Sequence, residues 1–301
     1  MSTERSLELT ALCAHDIRSE CSPLTTKEAW TLIAAAPTSI SLQDGVADVD
    51  ADLRERALRR LDLVDSAKAL QEQNAERGLR LITVADTDFP ERLRNRLQRT
   101  CPVLLYVTAH ISMLQRDGLG AVGSRNLDAH GVDVAANLGR TAAEAGLALV
   151  SGGARGADEE AMRGAIEGGG SAIGVLAHAL ESKAREHETA ELIEGGLLSL
   201  ISQVNPSAGF TVAGAMARNK IIYGLSRCTV VVASDLESGG TWAGATEAIR
   251  RNFGAVAVWT GPGSGPGNSE LIARGGKAIS SPAEALEIPP VTTTEQTSLD
   301  F

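Results

Sequence analysis

From residue 103 onward the chain alternates short, continuous apolar runs with stretches whose apolar positions recur every three or four residues. The runs VLLYV (103–107), LGAVG (119–123), LALVS (147–151), SAIGVL (171–176), LLSLI (197–201), TVVVAS (229–234) and AVAVWT (255–260) read as strands. A strand with one wet face would alternate polar and apolar residues, so unbroken runs imply burial on both faces. The intervening stretches 128–145, 157–167, 212–225 and 241–252 have the length and spacing of helices. Strand and helix in turn predict the α/β class: a doubly wound, mostly parallel, Rossmann-like sheet covered by helices on both sides.

The front of the chain follows another rhythm. Thr25-Thr26-Lys27-Glu28 resembles a helix cap followed by Ala29, Trp30, Ile33 and Ala34 at helical spacing, and Leu53, Ala57, Leu58, Leu61 and Val64 repeat the pattern. The expected organisation is a small helical domain over 1–75, an α/β domain over 76–288 and a flexible tail over 289–301, where two prolines and a threonine run open the last segment. Glycine marks the same change. Only Gly45 and Gly78 precede residue 118, and the other 29 of the 31 glycines fall between Gly118 and Gly276.

Composition narrows the functional classes. With 301 residues, 43% hydrophobic and 22% charged, the chain is an ordinary globular protein, and no apolar run nears the roughly 18 residues of a spanning helix. MSTERSLELT has neither an apolar core nor a cleavage site, so a cytoplasmic location is expected. Cys13, Cys21, Cys101 and Cys228 lack metal-ligand spacing and have no clustered histidines, so no metal or cofactor is expected. The formal net charge of −10 means that any nucleic-acid binding must rest on a local basic site, because nonspecific binders usually carry a basic total.

Three expected strands run into small-residue turns: AVGSR (121–125), LVSGGARGAD (149–158) and ASDLESGGTWAGATE (233–247). In a parallel sheet such turns gather at the carboxyl edge, where helix N-termini present free amides and glycine admits a ligand close to the backbone. A glycine there can equally do no more than permit a tight turn. Taken together, with Arg125, Arg155, Arg218 and Lys220, they predict a phosphate-binding cleft formed by Gly123, Ser124, Arg125, Ser151, Gly152, Gly153, Arg155, Gly156, Arg218, Asn219, Lys220, Ser238, Gly239, Gly240 and Thr241. Arg218-Asn219-Lys220 suits phosphate contacts or a solvated helix face equally well. The Walker spacing is absent, the glycine-rich turn departs from the dinucleotide fingerprint, and the partial G-x-S-x-G around Ser264 lies in a proline-containing loop. His178 and His187 have no evident partners and read as surface or packing residues.

The ordered series Asp88-Phe89-Pro90, Gly123-Ser124-Arg125, SGGARGAD (151–158), AMARNKIIYGLS (215–226), ESGGTWAGATEA (237–248) and GPGNSELIARGG (265–276) resembles the DprA/Smf family of DNA-processing proteins over residues 78–280. The resemblance implies an extended Rossmann domain behind a small helical one, single-stranded DNA held at the carboxyl edge, assistance in loading a RecA-type recombinase, and a homodimer. It assigns DNA contacts to Arg125, Arg218 and Lys220 and offers Phe210 as a base-stacking aromatic. It departs from the family pattern at Gly153 and Ala157 in the glycine-rich turn, at AREHETAEL (184–192) and at Ser199-Leu200, which suggests a divergent branch and leaves natural transformation, repair and defence all open as its setting. A terminal winged helix of the kind many relatives carry is not expected after Pro290.

The same superfamily includes LOG-like nucleoside-monophosphate phosphoribohydrolases, so an enzyme or a nucleotide sensor is the alternative, with Glu247 as the candidate acid and Thr241 as a helix cap. Finally, Gln296, Leu299 and Phe301 form a Q-x-x-L-x-F ending similar to the peptides that dock on bacterial sliding clamps. The DNA-binding reading makes one demand on the fold: Arg125, Arg218 and Lys220 must share a hollow.

Overall fold

The computed structural model describes residues 3–291. Four helices come first: α1 (Glu4–Cys13), α2 (Thr26–Ala35), α3 (Ala51–Leu61) and α4 (Val64–Glu76). The capping expectation at Thr25 holds. Its side chain accepts from the Glu28 amide while Glu28 reaches back to the Thr25 amide, which satisfies two donors that the helix itself leaves free. At the end of α1 the fully buried Arg60 of α3 performs the opposite service. Its Nε donates to Ala11 O at 2.7 Å and its Nη2 to Ala14 O at 2.8 Å, so a guanidinium closes the carbonyl end of the helix.

The remaining elements are β1 (Arg80–Thr83), α5 (Glu91–Leu97), β2 (Leu104–Val107), β3 (Gly118–Val122), α6 (Ala129–Glu144), β4 (Ala148–Ser151), α7 (Ala157–Glu167), β5 (Ser171–Val175), α8 (Leu180–Ala184), α9 (His187–Glu194), β6 (Leu198–Ser202), α10 (Val212–Leu225), β7 (Cys228–Val231), α11 (Gly239–Arg251), β8 (Ala255–Trp259), α12 (Asn268–Ala273), β9 (Lys277–Ile279) and α13 (Glu284–Glu287). All seven apolar runs are strands, and the chain has the expected α/β, Rossmann-like architecture. The described strands form one sheet in the order β1-β2-β6-β5-β4-β3-β7-β8-β9. It is parallel from β6 to β9, while β2 runs antiparallel to both β1 and β6. From β3 the chain builds outward to β6 on one side, then crosses back to start β7 on the other. The switch point between β3 and β7 is where such a sheet opens a crevice at its carboxyl edge.

The helical layer and the sheet share one continuous apolar core, from Leu9 to Ala285. Polar ties join them as well: Trp30 Nε1 donates to Cys101 O at 2.7 Å, and the Tyr106 hydroxyl donates to Asp16 at 2.8 Å. Helix α5 fixes the end of α10, where Arg92 Nε donates to Leu225 O at 2.7 Å and Arg96 Nη1 donates to Gly224 O at 3.2 Å.

Helices α6 and α7 meet backbone to backbone. A Cβ on Gly139 would lie 2.1 Å from Ala161 O, and one on Gly164 would lie 2.1 Å from Ala136 O. Alanine in place of glycine within a helix gains about 1 kcal/mol from propensity, whereas overpacking a tight contact costs about 1–3 kcal/mol. With a backbone oxygen as the obstacle, packing dominates. Gly139→Ala and Gly164→Ala are each expected to lower the thermal denaturation midpoint; an unchanged or raised midpoint would show that the two helices can part without cost.

Candidate functional site

The crevice at the switch point has a volume of about 610 Å³. Its walls are the turn after β3 (Gly123 to Asn126), the N-terminal half of α10 and the turn entering α11 (Ser238 to Thr241). Each wall is fixed by contacts that its sequence permits. The Ser124 amide donates to Ala233 O at 2.9 Å, and Ser124 O accepts from the Ala157 amide at 3.2 Å. Gly156, at φ +90°, lies so close beneath this turn that a Cβ would stand 2.4 Å from Ser124 O. Thr241 Oγ1 donates to Gly123 O at 2.9 Å, joining the β3 and α11 turns across the crevice. It therefore serves as a strut, not as the expected cap. Ser238 makes no side-chain capping bond either, so the first-turn amides of α11 keep their capacity for an acceptor.

Arg218 lies at the floor. Its guanidinium crosses Gly152 so closely that a Cβ there would stand 1.0 Å from Nη1. Nη1 is 3.5 Å from Asp158 Oδ2, with the two side chains 11% and 10% exposed. Burial pushes the Arg218 pKa down despite the attraction of Asp158, and burial pushes the Asp158 pKa up despite the attraction of Arg218. Desolvation outweighs the mutual attraction at both ends, which marks the burial of this pair as costly. The pairing is also incomplete, since Arg218 Nε has no hydrogen-bond partner among the described residues. Arg125 is exposed on the opposite wall, and no ion pair involves it among the described residues. Phe210 stands at the rim, 54% exposed, its ring edge-on to His178 with centroids 5.4 Å apart. Val212, 72% exposed, adds an apolar surface beside it.

Of the residues anticipated from sequence, Gly123, Ser124, Arg125, Arg218, Asn219, Ser238, Gly239, Gly240 and Thr241 line the crevice. Asn219 is held there by donating to Gly240 O at 3.1 Å. Lys220 does not share the hollow, so the demand that all three cations meet there is satisfied by Arg125 and Arg218 and fails at the third. It turns to the other side of α10, where its Nζ is 3.5 Å from Glu247. The reason is helical phase: two residues of advance rotate a side chain by about 200°. Ser151, Gly152, Gly153, Arg155 and Gly156 support the crevice without lining it. Ser151 is buried and donates to Ala121 O at 2.6 Å, while Arg155 donates to the side chain of Asn126. Glu247 is likewise outside the crevice, engaged with Lys220 and Arg251. Sequence reasoning missed two acids, Asp158 and the exposed Asp235, and Tyr223 as lining residues; Asp158 was visible as the acid closing SGGARGAD. Gln296, Leu299 and Phe301 lie outside the described residues.

Comparison with known proteins places this geometry in a lineage. The sequence model of the family described as DNA recombination-mediator protein A matches residues 80–288. The chain belongs to that family. Among curated relatives it is 30% identical over 214 residues to a protein named putative DNA processing protein DprA of Mycobacterium tuberculosis, covering 66% of this chain and 54% of that one. It is 32% identical over 191 residues to the protein Smf of Escherichia coli, covering 62% and 50%. The chain thus spans about half the length of these relatives. The solved DprA of Streptococcus pneumoniae has the same fold across 96% of this chain and 98% of its own, with a TM-score of 0.73 and 21% identity. The DprA of Helicobacter pylori, whose structure concerns a single-stranded DNA binding mode, aligns with a TM-score of 0.57 and 20% identity over 69% of this chain and 94% of its own. Among the described residues no helix is long and apolar enough to cross a membrane.

The cost assigned to the Arg218–Asp158 pair can be measured. Arg218→Met should leave Asp158 buried without its cation and destabilise the protein by about 3 kcal/mol near neutral pH. A carboxyl whose folded pKa lies above its unfolded value contributes stability that is present at low pH and lost as pH rises through the folded value. Urea denaturation should therefore show this variant regaining stability on acidification toward the ordinary carboxylate range. Arg218→Met combined with Asp158→Asn should recover most of the loss at neutral pH; no recovery would mean that the pair stabilises the fold after all.

Proposed function

We propose that the protein binds single-stranded DNA in the crevice, with backbone phosphates against Arg125, Arg218 and the free amides at the start of α11, and a base against Phe210. The observation that carries this reading is the convergence of two guanidiniums and an uncapped helix N-terminus at the switch point, in a chain whose total charge is −10. Phosphates are recognised by such groups, while an exposed aromatic accepts any base. Membership in the recombination-mediator family and the single-stranded DNA binding mode of the Helicobacter pylori relative support the same conclusion. The protein acts as a binding module, in this reading, and as a homodimer that assists the loading of a RecA-type recombinase in recombination, DNA uptake or defence. The phosphoribohydrolase alternative gains nothing from the geometry, because its candidate acid, Glu247, is engaged with two cations away from the crevice.

Fluorescence anisotropy with a labelled oligonucleotide tests the central claim. Arg125→Ala, at an exposed position with no structural duty, is expected to weaken binding several-fold and to lower the slope of log affinity against log salt by about 0.7. Phe210→Ala should cost about 1–3 kcal/mol of binding free energy. Absence of binding at low salt, or affinity indifferent to Arg125 and Arg218 together, would refute the reading. Deleting residues 296–301 is expected to abolish retention on a sliding clamp while leaving DNA affinity intact; retention by the truncated protein would dispose of the clamp-docking role.

A further inference from the structure

The side chain that leaves the first crevice leads to a second. Lys220 lines a separate cleft of about 480 Å³ together with Lys27 at the start of α2, Arg99 in the segment before β2, and His15. No Asp or Glu lines it. In a chain with 38 acidic and 28 basic side chains, that composition is a local reversal of sign. Lys27 and Arg99 are exposed, and no ion pair involves either one among the described residues. Three carboxylates adjoin its lining residues, and each has partners, Lys220 itself among them. Glu28 is bound to Arg56 and to the Thr25 amide, Asp16 accepts from Tyr106 and Asn205, and Glu247 divides itself between Lys220 and Arg251.

Topology puts this second cleft on the same edge of the sheet as the first. Its walls include Gln203 to Asn205, which follow the carboxyl end of β6, and Pro102 to Leu104, which lead into β2. Because β2 runs antiparallel to β6, its beginning lies at the end of β6. Helix α10 separates the two clefts, presenting Arg218 and Asn219 to one and Ala217 and Lys220 to the other. Amides, hydroxyls and three cations share the second cleft with apolar side chains such as Leu24, Val103 and Val204, a mixture that suits a chain with charged phosphates and apolar base faces.

We propose that the second cleft, with Lys27, Arg99 and Lys220, holds further phosphates of the same single strand, which passes over α10 from one cleft to the other. This rests on the reading of the first crevice as a single-stranded DNA site. A strand long enough to reach both clefts gains affinity from the second, since the first anchors it at high local concentration. A very short strand gains nothing.

The test uses the full chain carrying Lys27→Ala with Arg99→Ala, both surface substitutions away from the first crevice. Anisotropy is measured with oligothymidylates of about 5 and about 20 nucleotides across a salt series. The expected result is an affinity loss of at least about tenfold for the longer strand, a salt slope lower by about 1.4, and little change for the shorter one. As a control for general electrostatics, Arg140→Ala with Lys277→Ala removes the same charge at the opposite, amino edge of the sheet. It should leave both affinities nearly unchanged. Equal affinity of the Lys27, Arg99 variant and the unaltered protein for the longer strand would overturn the proposal while leaving the first crevice standing. So would an equal loss from the control pair. If the unaltered protein bound neither strand, the reading of the first crevice would fall and this inference with it.

Discussion

The spacing of the turns at the crevice depends on how closely α6 and α7 approach. The turn after β3 leads into α6 and the turn after β4 leads into α7, so the distance between these helices sets the distance between the turns. Gly139 and Gly164 let each helix rest against carbonyl groups of the other, and Gly156 lets the β4 turn slide under Ser124. Dense packing transmits such constraints because an interior has little room to absorb a displaced atom. Glycines that sequence analysis assigns to ligand approach are here used largely for approach between parts of the protein itself. Gly152 is such a case, since the missing Cβ is what gives the Arg218 guanidinium its resting place.

Electrostatics then bears on how an acidic protein can gather unpaired cations along one edge of its sheet. Some carboxylates are committed to local partners on helix surfaces, as in Arg163 with Glu160 and Glu167, or Arg274 with Glu270. Exposed pairs of this kind stabilise little, but they neutralise cations that lie away from the carboxyl edge. Arg125, Lys27 and Arg99 have no such partner among the described residues and all face that edge. The long, single contact of Arg218 with Asp158 holds its guanidinium in position through one donor, Nη1, and leaves Nε without a partner among the described residues.

Much of the fold was legible in the chain because buried parallel strands and their covering helices have distinct apolar periods. The bounds of α7 and α10 agree with the expected 157–167 and 212–225. Two strands escaped notice for physical reasons. Strand β9 spans three residues at the sheet edge with its first two exposed, and β1 begins with an exposed Arg80, so neither shows a long apolar run. The site was legible in part. Glycine-rich turns predicted where the crevice opens, and Arg125 and Arg218 share it. Adjacency in sequence misled at Lys220, because consecutive residues of a helix face different sides. It misled at Ser151 and Arg155 too, where a turn's residues divide between supporting the backbone and lining the surface.

The way Arg60 closes α1 gives the helical layer a tolerance that ordinary ion pairing would not. Its charge is met by peptide carbonyls, which neither titrate nor exchange with dissolved ions, and it is sealed from solvent. Acid that strips partners from surface arginines, or brine that masks them, leaves this one anchored. The seam between the first helices is thus insulated from the same ionic conditions that would govern the grip of the protein on a polyanion.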